Sequence, residues 1–243
     1  MDLTAQYYAH LLGFSTSAIP SFFDWKGGVE KDVSGKVTAL LDTQGRRTAT
    51  YNGSATNKVT EAGGILQLRG GGGSSDTSTS FTLQQANFRS AIFLIRSFKP
   101  DAVNMLTGGR LTSGIAAGAQ VDSFIREPEI SLDGNAGGGA AYDLRLNGAP
   151  LAVTPGSNGN YLGSFAGPMI LQFNYTMEVA SQLEYLFRRW NSGFSPWADI
   201  ERFTLSSTLW TQTDIQKLEG VYAHDAGTPS ELANNHPYKS NRP

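Results

Sequence analysis

The stretch AYDLRLNGAPLAV, residues 141–153, decides the fold class of this chain. Asn147 and Gly148 both tolerate the positive φ angles of a type I′ turn, and the runs on either side of them alternate apolar with polar side chains. Alternation with a period of two places the apolar residues of each run on one face of a strand. The stretch therefore predicts an antiparallel β-hairpin with one face turned towards a core.

Further short runs with strand-like patterns lie on both sides of this hairpin, separated by turn residues at fairly regular spacing. The run SAIFLIRSF at 90–98 is nearly all apolar, which is typical of a central strand covered on both faces. Roughly eleven to thirteen strands without intervening helices predict an all-β protein of two packed antiparallel sheets. The other candidate strands are KVTALL (36–41), RTATY (47–51), GILQLR (64–69), SFTLQQ (80–85), MILQF (169–173), QLEYLF (182–187) and DIERFTLS (199–206).

The composition agrees with a turn-rich β protein and excludes several functional classes. Hydrophobic residues make up 40% of the 243 residues, charged residues only 16%, and there are 28 glycines. The net charge is −2 without a basic run, so nucleic acid is not an expected partner. The absence of cysteine excludes disulfides and thiolate metal sites. No signal-peptide pattern or long apolar run is found, so we expect synthesis in the cytoplasm and no membrane partner.

Apolar residues near the amino terminus predict a short helical arm. Residues 3–12 place their apolar side chains on one helical face, and further aromatic residues follow. Because an isolated helix of this length is marginal in water, the stripe must be buried either on its own domain or on a partner. We therefore expect an arm or docking segment at 1–24 and a β domain at 25–243. The candidate docking residues are Leu3, Tyr7, Tyr8, Leu11, Phe14, Phe22 and Phe23.

One helix is predicted near the carboxyl terminus, over the run that ends in EGVYAH (219–224). Thr213 and Gln216 have the spacing of a capping box, and Ile215 and Leu218 begin an apolar stripe. The helix is expected to lie across an open end of the sandwich, with this stripe buried.

The segments QKLEGVYAH (216–224) and HPYK (236–239) resemble the carboxyl-terminal signature of laminin G-like, concanavalin A-like jelly-roll domains, a family found in bacteriophage virions. The resemblance implies a two-sheet antiparallel jelly-roll sandwich with a carboxyl-terminal helix, and HPYK as a structural clasp in which Tyr238 packs against a sheet. One departure is that the family's tryptophan after the helix is replaced here by residues 225–227.

The same resemblance implies a function. It points to a non-enzymatic bacteriophage virion structural protein, either a capsid decoration protein or a tail-associated one, anchored through its amino-terminal segment. Its partners would be other virion proteins, such as the major capsid protein or tail proteins, and a homo-oligomer is compatible with it.

A carbohydrate-binding adhesion module is the alternative. Sugar recognition combines aromatic platforms with amide or charged hydrogen-bonding groups, and one predicted loop holds both kinds of residue. The competing structural interpretation is that the aromatic residues of this loop plug the end of the sandwich. The candidate carbohydrate-binding residues are Arg188, Trp190, Asn191, Phe194 and Trp197, with Asp199 close behind them.

A glycosidase is a distant alternative, and we do not expect an enzyme. Glu127, Glu129 and Asp133 would share one face of a continuous strand, but Pro128 interrupts the run. Retaining hydrolysis needs two carboxylates about 5 Å apart, and the Glu-x-Asp-x-x-Glu spacing of glucanases with a concanavalin A-like fold is absent.

Metal and cofactor signals are weak. The three histidines, His10, His224 and His236, lack metal-ligand spacing. The oxygen-rich run LDGN (132–135) is compatible with a calcium site, but a plain turn is the favoured interpretation. No cofactor is expected.

Overall fold

The computed structural model describes residues 13, 21–25, 28–43, 47–71, 75–98, 109–116, 119–126, 129–134, 142–151, 160–161, 168–175, 181–187 and 195–243. Its strands form two antiparallel sheets packed into a jelly-roll sandwich, and one α-helix follows them, as predicted. No helix in the described ranges combines the length and apolarity that a membrane crossing requires.

In chain order the strands are β1 (Ser21–Asp24), β2 (Val29–Lys31), β3 (Val37–Leu41), β4 (Thr48–Tyr51), β5 (Val59–Ala62), β6 (Ile65–Arg69), β7 (Phe81–Phe88), β8 (Ser90–Phe98), β9 (Gly109–Ala116), β10 (Ala119–Arg126), β11 (Glu129–Gly134), β12 (Tyr142–Leu146), β13 (Ala149–Leu151), β14 (Asn160–Tyr161), β15 (Met169–Tyr175), β16 (Ser181–Leu186) and β17 (Trp197–Ser206). Helix α1 spans Gln212–Asp225, and a 3₁₀ helix spans Pro229–Glu231.

The strands divide into an eight-stranded and a nine-stranded sheet. The eight-stranded sheet has the order β13-β12-β15-β8-β17-β6-β5, and β1 pairs with β17 beyond the end of β6. The nine-stranded sheet has the order β14-β11-β10-β9-β16-β7-β4-β3-β2. One described ion pair bridges the two sheets, from Lys31 Nζ to Glu61 Oε2 at 2.8 Å, and it joins edge strands β2 and β5.

The predicted hairpin at 141–153 is confirmed by β12 and β13. Leu144 pairs with Leu151 and Leu146 with Ala149. The two turn residues have the positive φ angles that a type I′ turn requires, 49° at Asn147 and 79° at Gly148.

The run at 90–98 is confirmed as a central strand buried on both faces. Along β8, Phe93 and Ile95 enter the core between the sheets, whereas Ile92 and Leu94 point to the opposite face and pack under α1. This explains why the strand lacks a polar face.

The core between the sheets is centred on Phe203 of β17. Its ring stacks on Phe23 at 4.6 Å and on Phe93 at 5.2 Å between centroids. Trp25 and Phe187 close around it at 5.3 and 5.9 Å. Aromatic groups from four chain segments therefore meet at one point of the core.

Helix α1 forms a third layer on the outer face of the eight-stranded sheet. Its apolar stripe is buried against that sheet, and Tyr222 Oη also shares a 2.6 Å hydrogen bond with Thr204 Oγ1 of β17. The N-cap is Thr211 rather than the predicted Thr213, because the Asp214 N–H donates to Thr211 Oγ1 at 3.2 Å. The Asp214 carboxylate in turn accepts from the Thr211 N–H at 3.0 Å, which completes a capping box.

Strand β1 ties the amino-terminal part of the described chain into the sandwich. Phe22 is 3% exposed under α1, and Phe23 is 1% exposed in the main core. Successive residues of a strand point to opposite faces of the sheet, and both faces are buried here. These two docking candidates therefore pack within their own domain. The sandwich therefore already includes residues before the boundary predicted between 24 and 25. The other docking candidates, Leu3, Tyr7, Tyr8, Leu11 and Phe14, and with them the predicted helical arm, lie outside the described residues.

A buried charged cluster joins the hairpin, the helix and the carboxyl-terminal tail. We call it the clasp: Arg145, Glu219 and His236. Arg145 Nε lies 2.9 Å from Glu219 Oε1, and His236 Nε2 lies 3.1 Å from Glu219 Oε2. The side chains of Glu219 and His236 are fully buried, and that of Arg145 is 5% exposed. A buried carboxylate is tolerated only when it is paired in this way.

The hydrogen bonds of the clasp fix the tautomer of its histidine. The Tyr238 N–H donates to His236 Nδ1 at 3.3 Å, so Nδ1 is the acceptor nitrogen. Nε2 therefore carries the N–H group, which donates a hydrogen bond to Glu219 Oε2 at 3.1 Å. Tyr238 packs over Gly220 of α1, where a Cβ atom would lie 2.6 Å from Tyr238 Cβ. Tyr238 was predicted to pack against a sheet, whereas its described packing is against the helix.

We predict that Glu219→Ala lowers the free energy of unfolding by about 3–5 kcal/mol, because it leaves the Arg145 guanidinium buried without its partner. Urea denaturation followed by circular dichroism measures the loss. Glu231→Ala, at an exposed position of the 3₁₀ helix, is the control and should change stability by less than about 0.5 kcal/mol. Equal effects of the two substitutions would contradict the role of the clasp.

A pair of glycine substitutions tests the contact between hairpin and tail. Gly148 and Gly35 both have φ of +79°, but only at Gly148 would a Cβ atom meet the His236 ring, 2.5 Å from Cδ2. Gly35→Ala should therefore cost only the left-handed strain of about 1–2 kcal/mol. Gly148→Ala should cost roughly 1–3 kcal/mol more, because His236 must move. The denaturation midpoints of the two variants measure this difference. Equal losses of stability would show that His236 does not limit the space at Gly148.

Candidate functional site

Only one of the five predicted carbohydrate-binding residues falls within the described chain. Arg188, Trp190, Asn191 and Phe194 lie outside the described residues. Trp197 is described, and it lies on a strand as the first residue of β17 rather than in the predicted loop. The site is therefore built outward from Trp197.

The chain on both sides of 188–194 is held at one end of the sandwich. Phe187 is fully buried with φ of +59°, and its carbonyl accepts a hydrogen bond from Thr79 Oγ1 at 3.2 Å. Ser195 is also buried, and its Oγ accepts from the Thr79 N–H at 3.1 Å. A non-glycine residue in the left-handed region is strained, and such strain persists only where the surroundings fix the backbone. Thr79 thus anchors the chain at both Phe187 and Ser195.

Asp76 is a second anchor at this end. Its carboxylate accepts hydrogen bonds from the backbone N–H of Gly71 and from that of Ser78, the latter at 2.8 Å. Its carbonyl accepts from the Ser195 N–H at 3.1 Å. Asp76 therefore joins the glycine-rich turn after β6 to the start of the segment that leads into Trp197.

The side chain of Trp197 points away from the main core. Ala198 and Ile200 are buried between the sheets, and strand residues alternate in direction. Trp197 and Asp199 must therefore face outward, on the same face of the sheet that α1 covers further along β17. Both are only partly buried.

Trp197 lies in a compact polar group on this face. The Arg69 guanidinium carbon lies 4.2 Å from the centroid of the Trp197 ring, a cation–π contact. Arg69 Nη2 also pairs with Asp199 Oδ1 at 2.7 Å, and Ser97 Oγ donates to Asp199 Oδ2 at 2.7 Å. The side chains of Arg69 and Asp199 are 32% and 21% exposed, although Asp199 Oδ1 itself is buried.

The strand register extends this group across the sheet. Gln67 of β6 pairs with Asp199 of β17 and with Thr60 of β5. Thr60 Oγ1 donates to Gln67 Oε1 at 3.1 Å. We call the resulting surface the outer shelf; it consists of Thr60, Gln67, Arg69, Ser97, Trp197 and Asp199.

An ion-pair ladder separates the outer shelf from α1. Arg96 and Arg202 both bind the Glu201 carboxylate, Arg202 at 3.1 Å. Arg202 also pairs with Asp225 at the end of α1 at 3.0 Å, and Arg96 Nη1 donates to the Ala226 carbonyl at 3.1 Å. The helix thus ends at the ladder and leaves the first residues of β17 outside the third layer.

Sequence reasoning identified Trp197 and placed Asp199 beside it, but it missed Arg69, Ser97 and Gln67. These three residues come from β6 and β8, which are distant in the chain and reach Trp197 only through strand pairing. Their local patterns are those of ordinary strand residues, so no short-range signal could have found them.

The other candidate residues have structural surroundings or lie outside the described chain. His224 Nε2 lies 2.9 Å from the Tyr238 carbonyl and His236 belongs to the clasp, whereas His10 is not described. Glu129 is the first residue of strand β11, and Asp133 lies in the same strand. Among the residues whose side chains are described, no three His, Asp or Glu groups come together as metal ligands.

Comparisons with known proteins yield a fold likeness. No family model matches the chain, and no curated protein matches it. Trypanosoma rangeli sialidase in complex with 2,3-difluorosialic acid aligns with a TM-score of 0.48 at 11% identity, over 92% of this chain and 38% of that chain. The same sialidase with sialic acid aligns with a TM-score of 0.46 at 12% identity, over 92% and 38%. The botulinum neurotoxin serotype G binding domain aligns with a TM-score of 0.41 at 13% identity, over 82% and 50%.

The prediction of a bacteriophage virion structural protein is wrong on these comparisons. The solved structures named above are sialidases and a toxin binding domain, and no family model or curated protein links the chain to virions. The expected capsid and tail partners are likewise unsupported. Two residues of the signature behind the prediction, Glu219 and His236, belong to the clasp. A cluster that closes a fold does not specify a function.

We predict that Asp76→Asn lowers stability by roughly 1–2 kcal/mol near neutral pH, because the carboxylate accepts charge-assisted hydrogen bonds. Burial raises the pKa of Asp76, but hydrogen bonds from Ser78 and from the Gly71 amide outweigh it, so the pKa lies below 3.8. A lowered folded-state pKa stabilises the fold above the unfolded value, and this contribution is lost as pH falls through the folded-state pKa.

Melting temperatures of the wild type and Asp76→Asn, recorded from about pH 7 to about pH 2.5, test this prediction. The difference in melting temperature between the two proteins should be constant down to about pH 4 and should decrease towards zero below that pH. Glu231→Gln makes the same change in charge at an exposed position and serves as the control. A gap that widens in acid would contradict the role of the Asp76 carboxylate.

Proposed function

We propose that this protein is a non-enzymatic carbohydrate-binding module that binds glycans on the outer shelf. The proposal rests on one observation: a partly exposed tryptophan, Trp197, lies among hydrogen-bonding side chains on the part of the sheet that α1 leaves uncovered.

The chemistry of a sugar ring suits this arrangement. A pyranose has an apolar face of C–H groups and a rim of hydroxyl groups, so it binds where a rigid aromatic surface adjoins fixed polar groups. Trp197 supplies the aromatic surface, and Arg69 holds its orientation from 4.2 Å. Asp199, Ser97 and Gln67 supply the polar groups around it.

The neighbouring chain segment carries residues of the same kind. Phe187 and Ser195 are anchored through Thr79, and Ser195 is two residues before Trp197. Between them the sequence carries Arg188, Trp190, Asn191 and Phe194, the other predicted carbohydrate-binding residues. The sequence between these two anchored residues thus carries aromatic and amide groups, the residue types that bind sugars.

The carboxylates near the outer shelf support a binding role rather than a hydrolytic one. Asp199 is paired with Arg69, and Glu201 is paired with both Arg96 and Arg202. Both carboxylates are thus engaged by guanidinium groups, whereas retaining hydrolysis needs one carboxyl group that is free to donate a proton and a second one about 5 Å away.

We predict that Trp197→Ala weakens glycan binding roughly tenfold or more, because it removes the aromatic surface. A glycan array screens the wild type, and calorimetry with the best-bound oligosaccharide then compares variants. Trp197→Phe should retain part of the affinity, since a smaller ring remains.

Leu209→Ala is the matched control, because Leu209 is an apolar residue 45% exposed outside the shelf. Melting temperatures verify that each variant is folded. A wild type that binds no glycan on a broad array would refute the proposed function, and full affinity in Trp197→Ala would remove the outer shelf as its site.

A further inference from the structure

We infer that the outer shelf selects uncharged sugars and disfavours sugars that carry a carboxylate, with Asp199 as the group that makes the distinction. This inference rests on the proposed function and adds the chemical class of its ligand.

The first step is the acceptor capacity of Asp199. An ionised carboxylate has about four acceptor positions. Arg69 Nη2 lies 2.7 Å from Oδ1, and Ser97 Oγ donates to Oδ2 at 2.7 Å. Oδ1 is itself buried, so the acceptor capacity that a ligand can reach lies on Oδ2, and the side chain as a whole is 21% exposed. An oxygen held in this way can accept from a hydroxyl group of a sugar.

Arg69 cannot offer its Nη1–Nη2 edge to an acidic ligand without losing bonds that it already makes. Its Nη1 donates to the carbonyls of Leu68 and Ala198, at 3.0 and 3.3 Å, and its Nη2 pairs with Asp199. One face of the guanidinium lies over Trp197. Bidentate binding of a carboxylate across Nη1 and Nη2 would require these bonds to be given up.

The third step is the local charge balance. Arg69 and Asp199 cancel each other, and beside them Arg96 is paired with Glu201, so the described part of the shelf has no excess positive charge. Among the described residues, a ligand carboxylate that stacked on Trp197 would approach Asp199 without a further cation to compensate its charge. Like charges placed together across an interface disfavour binding.

Hydrogen-bond donors and acceptors alternate along the outer shelf, and this alternation suits the hydroxyl groups of a sugar. Gln67 uses Oε1 to accept from Thr60, which leaves its Nε2 as a donor beside Asp199 in the strand register. Ser97 donates to Asp199 and keeps its oxygen as an acceptor. A hydroxyl group both donates and accepts and can use both kinds of site, whereas a carboxylate can only accept.

The test compares matched neutral and acidic glycans on the intact chain. An array carries oligosaccharides with and without a terminal sialic acid, and others with hexose or hexuronic acid at the same position. The wild type should bind the neutral member of each recognised pair roughly tenfold or more tightly. Asp199→Asn, which removes the charge and keeps the shape, should narrow this ratio to within about threefold and weaken neutral binding.

Glu231→Gln makes the same change in net charge at an exposed position away from the shelf, and its selectivity should equal that of the wild type. Stronger wild-type binding to the acidic members would overturn this inference while leaving the proposed function in place. An unchanged ratio in a folded Asp199→Asn would also overturn it. The absence of binding to every glycan would instead refute the proposed function, and this inference with it.

Discussion

The eight-stranded sheet has to be covered on both faces, and most of the architecture depends on this constraint. Its central strands β8 and β17 carry buried side chains in both directions, with Phe93 and Phe203 towards the nine-stranded sheet and Ile92 and Leu94 towards α1. Apolar area left in water would cost about 25 cal/mol per Å². The carboxyl-terminal helix is therefore a third layer of the domain, and the tail keeps it in place.

The clasp attaches this third layer in a single arrangement. Glu219 is fully buried on α1, where Arg145 of the hairpin compensates its charge and His236 of the tail donates a hydrogen bond to its second oxygen. Buried ion pairs often add little net stability compared with apolar packing, but they strongly disfavour arrangements in which one partner is missing. We interpret the clasp in that sense, as a device that specifies how hairpin, helix and tail meet.

The end of the third layer creates the candidate site. Helix α1 stops where Asp225 and the Ala226 carbonyl meet Arg202 and Arg96, and the sheet face beyond them is polar and partly exposed. Trp197 lies on this uncovered part, on the same strand that carries Phe203 at the centre of the core. One strand thus contributes to the core and to the outer shelf, so core packing holds the strand on which the shelf is built.

The sequence by itself determined the features that depend on neighbours in the chain. Alternation and the Asn147–Gly148 turn predicted the hairpin, the apolar run predicted β8, and the spacing of Ile215 and Leu218 predicted the buried face of α1. These predictions hold because side-chain direction follows directly from the period of a strand or helix. The sequence also singled out Trp197 as a binding candidate, although it placed this residue in a loop.

Only the tertiary structure decided which residues meet. Glu219 of the helix is joined to Arg145, 74 residues away, and Asp199 to Ser97, 102 residues away. It also placed Phe22 and Phe23 inside the sandwich, where the sequence left a cap and a docking arm as alternatives. The physical reason is that strand register across a sheet is set by the packing of whole faces, and no local pattern around either partner encodes it.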